Sequence, residues 1–255
     1  MRCNYHTHTW RCKHASGSER AYVEQAIQGG LKVLGFSDHT PYPFPPGMDT
    51  HTRMELDQME DYVHTVLELR REYRSDIEIR LGLEAEYFPE YFPALLEFLA
   101  PYPVEYLLLG QHSLDVAPEM AFVGRPSPPE AEEGLLKRYV NLCIQAMETG
   151  RFACVAHPDV FRCARKGMAW RVQMHRLCSA MKRLGIPGEI NFLGIRERRH
   201  YPAAAFWEIA GEYHLPVLFG TDAHQPEKVC DPASERKALA MVEKYGLELL
   251  EELPL

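Results

Sequence analysis

The chain has 255 residues, a length that suits one α/β domain of barrel size better than two small domains, so we expect a single domain over 1–255. With 46% hydrophobic and 25% charged residues, the composition is that of a soluble globular protein. A formal net charge of −8 and the lack of a basic run argue against binding to a nucleic-acid backbone. An anionic substrate is compatible with this net charge, because bound metal ions can make the local electrostatic potential positive.

The expected location is the cytoplasm. We find no apolar run of the roughly 18 residues that a membrane span needs and no secretory signal after Met1. Seven cysteines without a Cys-x-x-Cys pair indicate reduced thiols. Cys12 lies between two histidines and could bind a metal, although a packed thiol is the favoured interpretation. The sequence does not predict an oligomeric state.

One unit recurs along the chain: an apolar strand, a polar turn and an amphipathic helix. The predicted strands are 2–8, 31–37, 77–84, 105–111, 152–157, 186–191 and 217–221. The predicted helices are 18–28, 53–73, 90–99, 130–149, 169–184, 202–214 and 232–245. The proline-rich stretch 41–47 and the long connection 113–129 are predicted to be loops.

Seven strand-then-helix units predict a parallel sheet, and at this length a closed barrel is favoured over an open sheet. Because no eighth strand is visible, we expect the barrel to be distorted or incomplete. A doubly wound open sheet is the alternative.

The first predicted strand carries a His-x-His pair, His6 and His8, and His14 follows six residues later. Side chains alternate along a strand, so both imidazoles of the pair should face the same side. Neutral imidazoles bind transition metals, so the pattern favours a metal site. Solvated histidines near a flexible terminus are the alternative.

Every predicted strand ends in polar or metal-binding side chains. In chain order these are His6 and His8, Asp38 and His39, Glu84 (with Glu86 beyond it), His112, His157, Glu189 and Asn191, and Asp222 and His224. In parallel barrels the carboxyl ends of the strands form one edge, called the rim below, where the chemistry takes place. So many donors would overfill one ion, which predicts two or three ions bridged by a carboxylate. Clustered ions suit displacement at phosphorus.

Five histidines fall outside this pattern and are expected to be solvated or packed: His51, His64, His175, His200 and His214. Two of them, His51 and His200, lie in predicted loops that could overhang the rim.

From Tyr5 to His224 the order, spacing and strand placement of these residues resemble the polymerase-and-histidinol-phosphatase (PHP) superfamily. The residues that carry the resemblance are His6-x-His8, His14, Asp38-His39, Glu84, His112, His157-Pro158 and Asp222-x-His224. Three stretches are similar to its histidinol-phosphatase branch: NYHTHTWRCKHASG, His157-Pro158-Asp159 with Arg162 shortly after, and Asn191-Phe-Leu-Gly194-Ile-Arg196.

The resemblance implies a distorted (β/α)7 TIM-like barrel with three divalent ions, which in such sites are zinc, manganese or iron. By position, it implies these ligands: His6, His8, Glu84 and Asp222 for the first ion; Glu84 again, with His112 and His157, for the second; and His14, His39 and His224 for the third. The implied reaction is hydrolysis of L-histidinol phosphate to L-histidinol and phosphate, in histidine biosynthesis, by attack of a metal-bound hydroxide.

Arginine suits bidentate recognition of phosphate, and two arginines closely follow rim residues. Arg162 follows the fifth predicted strand and Arg196 the sixth, so both are expected to bind substrate at the rim. Arg165, Arg198 and Arg199 are weaker candidates for the same task.

We assign catalytic work to Asp38, Asp222 and His224. Asp38 could orient a ligand or move a proton, and a turn-forming Asp is the alternative. Glu86 and Asp159 could face an amine of the substrate. No general acid is identifiable.

The loops 41–52 and 113–129 have no match in the family that we can place, so the substrate is less constrained than the chemistry. We expect a small phosphorylated substrate, and no nucleic acid or membrane as a partner. A phosphoesterase of the same fold acting on another small phosphomonoester or a nucleotide is the first alternative. An amidohydrolase-type metal enzyme also begins with His-x-His, but Glu84 and His14 count against it. A non-catalytic metal-binding module is the remote alternative.

Overall fold

Eight parallel strands form one sheet, in which each strand pairs with its neighbours in chain order. The computed structural model describes residues 1–45, 48, 52–116 and 122–255. The strands are β1 Cys3–Asn4, β2 Val33–His39, β3 Glu78–Ala85, β4 Tyr106–Leu109, β5 Cys154–Val155, β6 Gly188–Asn191, β7 Pro216–Gly220 and β8 Glu248–Leu249.

Helices follow the strands and cover the sheet. They are α1 Glu19–Gln28, α2 Met59–Glu72, α3 Phe92–Leu99, α4 Glu132–Glu148, α5 Met168–Leu184, α6 Phe192–Arg196, α7 Ala204–Glu212 and α8 Pro232–Tyr245. Local signals set their ends: the Ser18 side chain accepts a hydrogen bond from the Ala21 N–H at the start of α1, and α5 and α8 stop at Gly185 and Gly246, both left-handed. No helix in the described ranges is long and apolar enough to cross a membrane.

The sheet curls until its first and seventh strands meet at the rim. A parallel bridge pairs Thr7 with Ala223, and the Thr221 N–H donates to Asn4 Oδ1 at 3.0 Å. At the opposite end β8 pairs with the start of β7. The prediction of a distorted TIM-like barrel is therefore confirmed. The count of seven strands is wrong by one, because β8 has two residues, both exposed, and carries no apolar pattern that a sequence search could find.

The hydrophobic core lies on both sides of the sheet, as a parallel sheet covered by helices requires. In β2 every residue except His39 is buried. Inside the barrel the Tyr106 hydroxyl donates to the carbonyls of Tyr5 at 2.8 Å and Phe36 at 3.0 Å. A Cβ added at Gly82 would overlap the Tyr106 ring, so glycine there leaves room for it. Tyr106 thus fills the barrel interior and connects β4 with β2 and with the chain that follows β1.

Two differences from the predicted elements bear on the site. β1 ends at Asn4, so His6 and His8 lie beyond it, on extended chain held by the Thr7 bridge. Helix α6 falls between the predicted strand 186–191 and the predicted helix 202–214, where the sequence predicts no element; Asn191 begins it by accepting a hydrogen bond from the Gly194 N–H at 2.9 Å. All seven cysteines are free.

Candidate metal centre

The structure brings together at the rim the side chains that the sequence singles out as candidate ligands. They follow or end six strands: His6, His8 and His14 after β1, His39 on β2, Glu84 on β3, His112 after β4, His157 after β5, and Asp222 and His224 after β7. The sixth strand contributes two buried polar residues, Glu189 and Asn191, which contact this group. Parallel strand direction explains the convergence, because all the carboxyl ends meet at one edge.

Glu84 lies in the middle of the group and is 2% exposed. Its oxygens face five imidazoles: Oε1 is 3.0 Å from His157 Nε2 and 3.6 Å from His112 Nε2, and Oε2 is 3.5 Å from His6 Nε2 and His8 Nε2 and 3.2 Å from His39 Nδ1. Each carboxylate oxygen therefore faces a different set of nitrogens. That geometry suits a carboxylate that bridges two ions.

His6 and His8 point at one another, with their Nε2 atoms 3.1 Å apart. Asp222 Oδ1 is 3.2 Å from His8 Nε2 and 3.7 Å from His6 Nε2. One donor atom of each of these residues lies within 4.8 Å of the other two. A proton shared between the two imidazole nitrogens would leave the lone pairs of the neighbouring donor atoms without a partner. A metal cation can bind all of these donor atoms at once.

His14, His39 and His224 lie on the other side of His8. Its ring centroid is 4.4 Å from that of His39 and 4.2 Å from that of His224, and His14 is 4.8 Å from His224. Cys12 Sγ is within 4.8 Å of donor atoms of His14 and His224. Burial raises the pKa of this thiol, which keeps it protonated in the absence of an ion.

Two candidate ligands hold the backbone in the left-handed region, which non-glycine residues rarely adopt. The φ angle is 29° at His157 and 47° at Asp222. Such a conformation costs about 1–3 kcal/mol and persists only where surrounding contacts impose it. Here the His157 N–H donates to Glu189 Oε2 at 3.1 Å, and the His8 N–H donates to the carbonyl of Ala223, next to Asp222, at 3.0 Å.

Charge is divided unevenly among the clustered groups. Burial alone would raise the pKa values of Glu84 and Asp222, but the imidazoles around them hold both well below the usual range. Burial would lower the pKa of His8, yet hydrogen bonds to Asp222 and Asp38 raise it to about 9. Burial and the charge on His8 lower the pKa of His224 to about 3. The lowered pKa values keep both carboxylates ionised, and their negative charge favours bound cations.

The donor set fits divalent metal ions. Imidazole nitrogens and carboxylate oxygens are ligands of zinc, manganese and iron, and here they converge in several groups of three. His157 Nδ1 is buried and has no hydrogen-bond partner among the described residues, which marks a place where the chain alone does not satisfy its polar atoms. The site is thus built to bind divalent cations.

Asp38 is fully buried and contacts the site from behind. Its Oδ1 is 3.4 Å from His8 Nδ1 and accepts a hydrogen bond from the His39 N–H at 2.8 Å, while the Thr9 hydroxyl donates to Oδ2. Of the two roles expected for Asp38, these contacts favour the orientation of His8 over direct proton transfer to substrate.

A cavity of about 900 Å³ opens above the candidate ligands. Its wall carries several cationic side chains: Arg53, Arg162, Arg196, Arg198, Arg199 and Lys228. The wall above the candidate ligands also carries Glu86 and Glu197, so cationic side chains outnumber carboxylates there, which favours an anionic substrate.

The two arginines predicted to bind substrate both line this cavity, but their surroundings differ. Arg162 is exposed and has no side-chain partner within the described residues. Arg196 donates to Asp231 Oδ2 at 3.2 Å and to the Thr221 carbonyl at 3.3 Å. Arg162 is therefore the freer of the two to bind a ligand.

Glu86 and Asp159, the two acidic residues that could face an amine of the substrate, also differ in their surroundings. Glu86 lines the cavity, and its Oε2 is 2.5 Å from Arg53 Nη2 in a buried ion pair. Asp159 is buried and accepts a hydrogen bond from the Ala203 N–H; burial raises its pKa to about 6. Of the two, only Glu86 is placed by the described contacts where a cavity ligand could meet it.

The histidines expected to lie outside the pattern behave differently from one another. His64 and His214 are exposed, and His175 contacts the Tyr213 hydroxyl at 3.2 Å. His200 lines the cavity, with Nε2 2.7 Å from the Val160 carbonyl. His51 lies outside the described residues.

Glu189 ends the sixth predicted strand, and no role was predicted for it. It is buried, and its Oε1 is 2.7 Å from His6 Nδ1. The rule that selected Glu84, a carboxylate at a strand end, selects Glu189 equally. Arg53, Lys228 and Tyr201 also line the cavity, and nothing in their local sequence sets them apart.

A barrel of parallel strands with clustered imidazoles and carboxylates at its rim defines a class of proteins: TIM-like barrels with a metal-binding rim. Residues 4–191 match the model of one family, described as the PHP domain. Because this match covers well over half of the chain, the protein belongs to the PHP family.

Two relatives extend the similarity to most of the chain. A "Probable histidinol-phosphatase" of Deinococcus radiodurans is 29% identical over 233 residues, covering 89% of this chain and 88% of the relative. A "Histidinol-phosphatase" of Bacillus subtilis is 26% identical over 255 residues, covering 86% and 92%. Among solved structures, the histidinol phosphate phosphatase of Lactococcus lactis, complexed with zinc, L-histidinol and phosphate, superposes with a TM-score of 0.75 at 20% identity, covering 98% of this chain and 95% of that one. That similarity supports the fold.

Proposed function

We propose that residues 1–255 form a single catalytic domain that hydrolyses L-histidinol phosphate to L-histidinol and phosphate. The observation that carries the proposal is the pairing of clustered metal-binding donors with a basic cavity above them. Relatives that share most of the chain's length and carry the name histidinol-phosphatase support the choice of substrate.

Three divalent ions are part of the proposal, with the ligand sets that the family resemblance implies. When bound, such ions supply Lewis acidity and activate water for attack on phosphorus. Glu84 would bridge two of them through its two oxygens, and Asp222 would share the first with His6 and His8. The contacts around Glu84 and the His6–His8 approach support this arrangement.

The chain's own residues would bind and orient the phosphate ester. Arg162 extends into the cavity without a partner in the described structure and would donate to the non-bridging phosphate oxygens. Arg196 is held by Asp231, so it would contribute charge in a fixed position. Asp38 would keep His8 oriented through the contact between Oδ1 and Nδ1.

The alcohol part of the substrate would occupy the rest of the cavity. Glu86, held by Arg53, and the aromatic side chains of Phe122 and Tyr201 line that space. A carboxylate beside aromatic surface suits a ligand that carries an amine and an imidazole.

The test is phosphate release from a small substrate panel by the zinc- or manganese-loaded protein, with elemental analysis of the same sample. The panel contains L-histidinol phosphate, an aryl phosphate, a nucleotide and an amide. L-Histidinol phosphate should be hydrolysed with much the highest kcat/KM, because remote binding energy can be used in the transition state. Equal efficiency on the aryl phosphate would retire the histidinol assignment, and cleavage of the amide alone would retire phosphatase chemistry.

A further inference from the structure

Glu189 is a buried carboxylate, 3% exposed, that lies behind the candidate metal ligands. Its Oε1 is 2.7 Å from His6 Nδ1. Its Oε2 accepts two hydrogen bonds, from the His157 N–H at 3.1 Å and from Asn191 Nδ2 at 2.9 Å. Both oxygens therefore have hydrogen-bond partners, and each of these partners belongs to the site.

The contact with His6 fixes which nitrogen of that imidazole carries hydrogen. Glu189 Oε2 already accepts from two N–H groups, and a carboxylate oxygen accepts from an imidazole N–H, so the contact of Oε1 places the hydrogen on His6 Nδ1. The Nε2 lone pair of His6 then points at His8 Nε2, 3.1 Å away, and at Asp222 Oδ1, 3.7 Å away. Without Glu189, the imidazole could adopt either tautomer and rotate.

The second oxygen acts on two other strands. It holds the backbone N–H of His157, where φ is 29°, and so helps to maintain a strained conformation. It also holds Asn191, whose Nδ2 donates to Asp222 Oδ2 at 3.1 Å. One carboxylate thus connects the candidate ligands that follow β1, β5 and β7.

The neighbouring strand is shaped to admit this side chain. A Cβ added at Gly220 would overlap Glu189 Oε1, so only glycine leaves the carboxylate room at that position of β7. Glu189 thus occupies a space that the neighbouring strand leaves open and has three partners within the site. A polar residue that only packs in the core would need neither feature.

We propose that Glu189 is a positioning residue of the metal centre: it sets the His6 tautomer, holds the strained His157 backbone and, through Asn191, orients Asp222. The inference rests on the proposed metal site and not on the proposed substrate. Loss of the histidinol assignment would leave it intact, because its test measures zinc binding.

The test compares Glu189→Gln with Glu105→Gln. Both variants replace a carboxylate by an amide of the same shape. Glu105 accepts from the Leu81 N–H and from two arginines near the amino ends of β3 and β4, far from the rim. In Glu189→Gln the amide NH₂ cannot accept, so His6 or the pair His157 and Asn191 must lose its acceptor.

Zinc affinity is measured by competition with a chelator, on full-length protein shown to be folded by circular dichroism. Glu189→Gln should bind zinc about 10–100-fold more weakly than the wild type, and Glu105→Gln should bind it unchanged. Wild-type affinity in Glu189→Gln would overturn the proposal, because a merely structural carboxylate would change stability and not zinc binding.

A second measurement uses the wild type and does not depend on the variant folding. In zinc-loaded protein with ¹⁵N-labelled histidine, the His6 resonances, assigned by their loss in His6→Gln, should show a protonated Nδ1 and a zinc-bound Nε2. A protonated Nε2, or zinc bound through Nδ1, would refute the assigned hydrogen bond and with it the proposal.

Discussion

The two ends of the barrel both contain clustered ionisable side chains, partly exposed at the amino ends and buried at the rim, and their partners differ. At the amino ends, Glu105 Oε1 is 2.8 Å from Arg80 Nη1, and Oε2 accepts from the Leu81 N–H at 2.8 Å and from Arg70. Each acceptor there faces a donor of the same chain. At the rim, Glu84 and the imidazoles around it turn acceptor atoms toward one another.

The amino end of the barrel thus uses its charged groups for stability, and the rim uses them for function. Charges that are paired within the chain need no further partner, whereas buried lone pairs that converge are costly until an external cation binds them. The rim should therefore depend on metal, and the amino end should not.

The largest effect is expected at Glu84. Glu84→Ala removes the carboxylate that faces five imidazoles, so both bound metal and activity should be lost. The loss of activity should be well above the ~10–100-fold that is typical when a residue that only supports a metal ligand is replaced. Glu86→Ala is the matched control, because Glu86 pairs with Arg53 and should leave metal content unchanged. Elemental analysis and phosphate release measure both. The opposite pattern would mean that Glu86 is the bridging carboxylate.

Removal of metal is next in size. Gently purified protein should contain more than two divalent ions per chain. A chelator should lower the melting temperature by on the order of 10 °C. This shift is expected if the free ion concentration is about 1,000 times the dissociation constant, because ions that bind only the folded state stabilise it. Calorimetry with and without chelator measures the shift. A content near one ion per chain at full activity would remove the three-ion assignment.

Arg162 should affect catalysis without affecting metal. Arg162→Ala removes one charge-assisted contact to phosphate, which costs about 1.5–3 kcal/mol or roughly ten- to a hundred-fold in kcat/KM. Arg165→Ala is the control, since Arg165 is exposed and does not line the cavity. Arg196→Ala should also lower kcat/KM with metal content unchanged, and it should cost some stability, because it breaks the pair with Asp231. Full activity in both Arg162→Ala and Arg196→Ala would mean that metals alone hold the phosphate.

The fold and the clustering of the candidate ligands were predictable because both follow from strand direction. Apolar strands ending in His39, Glu84 and His157 place those side chains at one edge whatever the details of packing. Strand β8 was not predictable, since its two residues are exposed and pair only because the chain returns beside β7.

The sequence also could not predict which residues that are far apart along the chain contact each other. Arg196 and Asp231 are 35 positions apart, and only the packed structure shows that the arginine is already engaged. The same holds for Glu189, whose contact with His6 joins residues 183 positions apart. Sequence identifies chemistry-bearing side chains at strand ends, but tertiary packing decides which of them face a ligand and which face each other.

The smallest effect is expected at the amino end, in Glu105→Gln. Burial alone would raise the pKa of Glu105, but the Leu81 N–H, Arg80 and Arg70 together lower it below its ordinary value. A carboxylate with a lowered folded-state pKa adds stability that is present above the unfolded-state pKa and is lost as pH falls through the folded-state value.

Glu105→Gln should therefore cost about 1 kcal/mol at pH 7, less than the ~1.5–3 kcal/mol of a charged hydrogen bond, because solvent screens a side chain that is partly exposed. The difference from wild type should shrink below about pH 4, while zinc content at pH 7 stays the same. Chemical denaturation in chelator at both pH values measures the cost, and subtracting wild type cancels the titration of the rim. Glu72→Gln, which breaks an exposed pair with Arg20, should cost less. A difference for Glu105→Gln that grows as pH falls would mean that its charge is not what stabilises the amino end.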